Sequence, residues 1–308
     1  MNRARSANRT AEEAPAPARH AVCWLNGRVV PLADARVSVF DHGLLYGDGV
    51  FEGIRFYHGR AFRLTQHLAR LEASAAAIRL HIPYDADALA SAVQATITAF
   101  GKTDGYLRLV VTRGEGRLGL DPASCGRPNV FLIADELTLV PLTVRQQGAR
   151  VLVAATRRIA VDALDPRIKS LNYLNHILAR MEASRAGADE AILLNAAGHV
   201  TEGSADNIFI VRDRVLLTPP AVDGALEGIT RAAVLELAAD LKIPVREISL
   251  SPYDLYAADE CFLTGTGAGL IPVREIDGRR LRACPGPVFA TLRDAFGGLI
   301  ERETAHCA

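Results

Sequence analysis

Turn dipeptides set between short apolar runs constrain this chain more than any other feature. In "AVCWLNGRVVPL" the alternation of apolar and polar residues reverses around Asn26-Gly27, and "VFEGIRFYHGRAFRL" turns at His58-Gly59. Asn-Gly is the strongest short hairpin signal, because both residues tolerate the positive φ of a tight turn. "NIFIVRDRVLLTPP" turns near Asp213, and a short hairpin closes at Asp277-Gly278. Between these hairpins the period changes. "TQHLARLEASAAAIRL" is apolar at 68, 71, 75 and 78, which predicts a helix capped by Thr65. Further helices are expected over 86–100, over "ITRAAVLELAADLKI" and over about 287–301. "GYLRLVVTRG", "NVFLIADEL", "ARVLVAATRRI" and "EAILLN" read as strands. Hairpins interleaved with single helices make both halves α+β. "TLVPLTVRQQG" looks like a linker, so the expected layout is a tail over 1–20, a small α+β domain over 21–138, an interdomain linker over 139–148 and a larger domain over 149–308.

Composition narrows the function. Of 308 residues 49% are hydrophobic, enough for two cores of ordinary size. Lys+Arg 35 against Asp+Glu 35 leaves no net charge, which speaks against nucleic-acid or anionic-membrane partners. Cysteines 23, 125, 261, 284 and 307 are scattered, without a C-x-x-C pair, and fit a reducing cytoplasm better than a disulfide framework or a zinc site. No histidine falls in H-E-x-x-H spacing, so no metal is expected. No apolar run approaches the roughly 18 residues that span a bilayer. Residues 1–20 lack the apolar stretch of a secretory signal and read as a disordered tail.

Four segments can carry chemistry. In "RIKSLNYLNHILAR", Leu171, Leu174, Leu178 and Met181 recur at helical steps, Ser170 is a candidate N-cap, and Lys169 falls just ahead of the helix. Lysines are mostly solvated surface residues. This chain, however, has lysine only at 102, 169 and 242, and Tyr173 lies one turn on from Lys169. "EGITRAAVLELAADL" places Gly228 and Thr230 at a helix start, where unpaired N–H groups suit a phosphate; an ordinary cap would look the same. "LTGTGAGL" offers a second cradle of glycines with the Thr264 and Thr266 hydroxyls. In "TEGSADNIFIV", Glu202 is either a solvated turn residue or a carboxylate able to pair with a cationic ring nitrogen.

"RGEGRLG" is a competing signal. Gly114, Gly116 and Gly119 have G-x-G-x-x-G spacing after a strand, as in nicotinamide-dependent oxidoreductases. That loop must open a helix, and here Asp121-Pro122 and Arg127-Pro128 follow instead.

An isolated amine, two phosphate cradles and a carboxylate together suit pyridoxal phosphate, which joins a lysine as a Schiff base. "YGDGVFEGIR", "HLARL", "YLRLVVTRG", "IKSLNYLNHILAR", "TEGSADNIF", "LEGITR" and "GTGAG" resemble, in order and spacing, the fold-type IV aminotransferases, most closely the branched-chain amino-acid aminotransferases. The resemblance covers about 21–300. It implies a two-domain α+β enzyme whose larger domain holds a mixed β-barrel-like sheet. It also implies pyridoxal 5'-phosphate on Lys169, Glu202 at the ring nitrogen and Tyr173 at the 3-oxygen. Arg70, Gly228, Ile229, Thr230 and Thr266 would form the phosphate cup, with Leu226 on the ring. Tyr46, Phe51, Gly53, Arg55, Tyr106, Arg108, Gly265 and Gly267 would form the substrate pocket for leucine, isoleucine, valine and glutamate, completed by a second subunit. Asp48-Gly49 is shared with the related D-amino-acid aminotransferases and aminodeoxychorismate lyases, whereas "FEGIR" and "YLR" favour the L-branched-chain type.

Overall fold

The computed structural model describes residues 20–137 and 140–305. The expected tail up to residue 19, residues 138–139 and Cys307 lie outside the described residues. Strand β1 (Val22–Leu25) turns through Asn26, at φ 48°, into β2 (Arg28–Val30). Helix α1 (His42–Tyr46) leads into β3 (Gly49–Tyr57), which turns through His58 into β4 (Arg60–Ala61). Then come α2 (Leu64–Ala77), α3 (Ala86–Phe100), β5 (Gly105–Thr112) and β6 (Asn129–Asp135). These strands form one antiparallel sheet in the order β2-β1-β6-β5-β3-β4. Along β3 the side chains alternate as a pleated strand requires. Val50, Ile54 and Phe56 enter a core with Leu71, Leu107 and Leu132, whereas Phe51 and Gly53 line a cavity on the other face.

Thr65 does not cap α2. Arg63 holds the N-cap position with φ 55° and makes no side-chain cap bond. Its guanidinium pairs instead with Glu236 and Glu303, at 2.8 and 2.9 Å, so tertiary ion pairs rather than a local cap fix this start. The expected linker folds in part as α4 (Leu142–Gln147), and Val140 and Val144 pack on the second core. Gly114, Gly116 and Gly119 do not open a helix. A single 3-10 turn at Pro122–Ser124 leads into β6, antiparallel to β5, and this geometry removes the dinucleotide-loop reading.

The second half contains β7 (Ala149–Arg157), α5 (Leu174–Arg185), β8 (Glu190–Leu194), β9 (Val200–Gly203), β10 (Asn207–Arg212) and β11 (Val215–Thr218). It continues through α6 (Ile229–Asp240), β12 (Val245–Glu247), α7 (Pro252–Tyr256), β13 (Glu260–Gly265), β14 (Gly269–Ile276), β15 (Arg279–Arg280) and α8 (Pro287–Thr304). The mixed sheet runs β12-β11-β10-β13-β14-β7-β8-β9, with β15 on β14, and curls into a half-barrel. Ile208, Ile210, Leu263 and Ile271 fill one face. Phe209 and Phe262, cross-strand partners stacked at 5.1 Å, meet Val234 of α6 and Phe289 of α8 on the other.

The segment from Lys169 departs most from expectation. Lys169–Leu171 is extended and lies along the first sheet. The Phe51 N–H donates to the Lys169 carbonyl (3.0 Å), and the Leu171 N–H to that of Gly49 (2.9 Å). Ser170 bridges Val50 and caps nothing, since α5 begins only at Leu174. Its buried face is His176, Ala179 and Ala183, while Leu174, Leu178 and Met181 are exposed. Ala179 and Ala183 meet Ala154, Ala191 and Leu193. Small side chains let the helix approach the sheet closely, which turns the bulky stripe outward.

Candidate functional site

A cavity of about 350 Å³ receives side chains from both sheets, a volume suited to a small molecule. The extended segment delivers Lys169 to it. Its Nζ donates to Tyr173 Oη (3.4 Å) and stands 4.7 Å from the centre of the Phe51 ring. Burial, with the Arg70 and Arg108 charges adding to it, brings the amine down to about 8. Burial pushes the Tyr173 phenol up to about 12, so it keeps its proton at neutral pH. The His176 ring stacks on Tyr173 at 4.6 Å; burial lowers that imidazole to about 4 and keeps it neutral.

Glu202 enters from β9 and is 5% exposed. One oxygen accepts from Arg158 Nε and the other from the Leu226 N–H, both at 2.9 Å. Burial raises its pKa, and Arg158 opposes the rise. Nothing in the sequence reading singled out Arg158, the buried arginine that follows the last residue of β7.

The phosphate-type donors converge at the other end. Gly228 begins α6 with no side-chain cap, leaving the first-turn N–H groups of Ile229 and Thr230 for a ligand. A Cβ at Gly228 would overlap Asn207 Oδ1, so only glycine fits there. Arg70 reaches this helix start from α2, donating Nη1 to the Glu227 carbonyl at 2.7 Å. Its Nε and Nη2 fork onto Glu52 at 2.7 and 2.8 Å. Glu52 also accepts from His67 Nδ1 at 2.7 Å, and both are wholly buried. Burial raises the Glu52 pKa, but the bonds from Arg70 and His67 outweigh it and bring the carboxylate down to about 2. Sequence reasoning missed this pair. The signal was a glutamate on the inward parity of β3, between Val50 and Ile54.

Gly265 ends β13, Thr266 and Gly267 begin the turn towards β14, and all three line the same cavity. Thr264 beside them is 1% exposed, and its Oγ has no hydrogen-bond partner among the described residues. A buried hydroxyl without a partner is costly, and here it borders a cavity a ligand can fill. Leu226, Phe51, Gly53, Tyr106 and Arg108 also line it. The Arg108 guanidinium lies 4.4 Å from the Phe51 ring centre.

Two expected pocket residues stand apart. Tyr46 Oη accepts from the Gly119 N–H at 3.0 Å, and Arg55 donates to the Leu137 carbonyl at 3.4 Å; neither lines the cavity. Arg113 is held by Asp48 and the Ile78 and Arg79 carbonyls. Among the described residues there is no group of three or more His, Cys, Asp or Glu side chains able to hold a metal, and no helix is long and apolar enough to cross a membrane. An amine with lowered pKa, a buried carboxylate and a cradle of unpaired donors fit a phosphorylated aromatic aldehyde.

Comparison with known proteins agrees. The amino-transferase class IV family matches residues 49–276. The putative branched-chain-amino-acid aminotransferase of Methanocaldococcus jannaschii is 51% identical over 83% of this chain and 88% of its own length. The crystal structure of the Escherichia coli branched-chain amino acid aminotransferase has TM-score 0.89 at 36% identity, covering 93% of this chain and 96% of that one. The branched-chain amino acid aminotransferase from Thermobaculum terrenum, solved in its PLP-form, has TM-score 0.82 at 32% identity, over 91% and 93%. The chain belongs to the class IV aminotransferases, pyridoxal-phosphate enzymes, and along most of its length is similar to their branched-chain amino-acid members.

Proposed function

We propose that this protein moves the amino group between L-leucine, L-isoleucine or L-valine and 2-oxoglutarate, using pyridoxal 5'-phosphate on Lys169. The observation that carries the substrate reading is the wall beside Lys169. There an aromatic face, Phe51, and a forked cation, Arg108, lie against each other within one pocket. Such a wall suits an apolar side chain in one half-reaction and a distal carboxylate in the other. The names of the relatives point the same way.

When bound, the cofactor supplies an aldehyde that condenses with an amine and a ring that draws electrons from the attached carbon. Arg70, Ile229, Thr230 and Thr266 would hold its phosphate, with Gly228, Gly265 and Gly267 giving the backbone room. Leu226 would support the ring. Glu202, kept in place by Arg158 and the Leu226 N–H, would favour the protonated ring nitrogen. Tyr173 would serve the 3-oxygen. Lys169 Nζ would take the Cα proton of the substrate and deliver it to C4′ of the cofactor, a task its lowered pKa suits near neutral pH. Phe51, Gly53, Tyr106 and Arg108 receive the substrate.

Tyr46 and Arg55 fit a different place. Tyr46 lies beside exposed Leu44 and Leu45, and the exposed Leu118 and Leu120 flank its partner Gly119. We assign this surface to a homodimer in which Tyr46 completes the neighbour's pocket. Residues 21–138 and 149–308 act as two domains with the cofactor between them, and Arg55 braces the end of the first. The free cysteines at 23, 125, 261 and 284 fit a cytoplasmic enzyme.

A donor panel of both enantiomers of leucine, isoleucine, valine and alanine against 2-oxoglutarate tests the assignment. L-branched donors should be the best substrates. Preference for D-alanine, or pyruvate release from aminodeoxychorismate, would transfer the chain to the related D-amino-acid or lyase type.

A further inference from the structure

The turn between β9 and β10, which lines the same cavity as the start of α6, carries a carboxylate that none of the steps above uses. Asn207 and Thr264 are register partners of β10 and β13, which sets Asp206 opposite Gly265. Asp206 Oδ1 fills the space that a Cβ on Gly265 would occupy, so the glycine is what admits the carboxylate. The group lines the cavity, and its carboxylate has no hydrogen-bond or ion-pair partner among the described residues. Around it stand Glu190 and Glu202, of like charge, and Lys169 and Arg180, of opposite charge. Both acids are otherwise engaged, Glu190 with the Ser204 N–H (3.1 Å) and Glu202 with Arg158 and Leu226. The buried, unpaired Thr264 hydroxyl is on the residue before Gly265.

A bare carboxylate next to a phosphate dianion repels it. The same group carrying a proton donates a short, strong O–H···O bond. We propose that Asp206 is a proton-holding residue of the phosphate end of the site: as a carboxylic acid it donates its O–H to the phosphate of the cofactor, taking up one proton from solvent as the phosphate enters. This rests on the reading of Gly228–Thr230 and Thr264–Gly267 as the phosphate cradle. Burial first, then Glu190 and Glu202, lift Asp206 to about 7 in the empty site. Below that pH the proton is already present. Above it the proton must be supplied on binding, so affinity falls as pH rises.

Apoprotein titrated calorimetrically with pyridoxamine 5'-phosphate tests this, because that probe carries the phosphate and forms no bond to Lys169. Buffers of different ionisation enthalpy count the protons. At pH 8 wild type should take up about one proton more than Asp206→Asn, and between pH 7 and 8 its Kd should rise about fivefold more. Asp206→Ser, which also removes the carboxyl group, should match Asp206→Asn. Pyridoxamine, without the phosphate, should show no such difference between the proteins. Equal proton counts and slopes in wild type and variants, all binding the probe, would overturn the role of Asp206. No binding of pyridoxamine 5'-phosphate by wild type would instead overturn the cofactor reading on which it rests.

Discussion

In the proposed reaction Arg108 would serve two ligands with one side chain. Its guanidinium already lies on the Phe51 ring, so the aromatic face holds the charge in place. Arg108→Leu keeps apolar bulk and removes the fork. We expect the glutamate half-reaction to slow by one to two decades, the loss of roughly 1.5–3 kcal/mol for a charge-assisted bond. The leucine half-reaction should change far less. Single-turnover spectra of each half separate the two, and equal losses would show that Arg108 holds the shared α-carboxylate instead. At this scale the sequence was informative where a residue type is scarce or its setting unusual. Lys169 stood out among three lysines, and Glu202 in its glycine turn. Arg158, Glu52 and His67 were not legible, because each is defined by a partner distant in the chain. Tyr46 and Arg55 look like pocket residues in the motif, yet neither lines the cavity of its own chain: Arg55 shares the face of Phe51 and Gly53 but ends at the Leu137 carbonyl, and Tyr46 at the Gly119 N–H.

Strand β3 and helix α2 act as a pair, with Glu52 joining them. Its carboxylate fixes the Arg70 fork and takes the His67 N–H, so α2 presents its cation at one orientation. A folded pKa of about 2 against an ordinary 4.5 means that this carboxylate stabilises the fold above pH 4.5. That contribution is lost as pH falls from 4.5 towards 2, and is on the order of 3 kcal/mol when complete. Glu52→Gln should therefore lower stability at pH 7 and flatten the acid limb between pH 4.5 and 2 in denaturant titrations. Cofactor affinity should weaken at the same time, since Arg70 is no longer held on two sides. An unchanged acid limb would place the acid sensitivity elsewhere. Helix α3 occupies the expected 86–100, and the turns at Asn26 and His58 took the positive φ that their residue types allow. The misreading at 167–181 has a plain cause. Periodicity shows that one face of a helix is apolar, not which face the sheet accepts, and here alanines face the sheet. The pairing of Lys169–Leu171 with β3 is long-range and leaves no local pattern.

Over the whole molecule, exposed Leu174, Ile177, Leu178 and Met181 on α5 form an apolar strip. Asn172 Nδ2 donates to the Gly47 carbonyl at 3.1 Å, tying the start of that strip to α1, with exposed Leu44 and Leu45. A second copy is the occupant we assign to this continuous surface. The double substitution Leu178→Glu with Met181→Glu should yield monomers by sedimentation velocity, with unchanged far-ultraviolet circular dichroism and a large loss of activity. Dimers that survive both charges would place the interface elsewhere. The two halves were legible as α+β units, yet their seam was not, and the seam has a consequence for recombination. Lys169 belongs to the second half of the chain but is positioned by backbone bonds to Gly49 and Phe51 of the first. A chimera crossed over within 140–148 would inherit intact sheets from two parents and still draw the two sides of this seam from different ones. The side chains are matched as well, since a Cβ on Gly49 would meet Leu171 Cδ1 at 2.7 Å. Among shuffled descendants, those that keep 49–51 and 169–171 from a single parent would retain a correctly aimed lysine, so these six residues, far apart in the gene, behave as one heritable block.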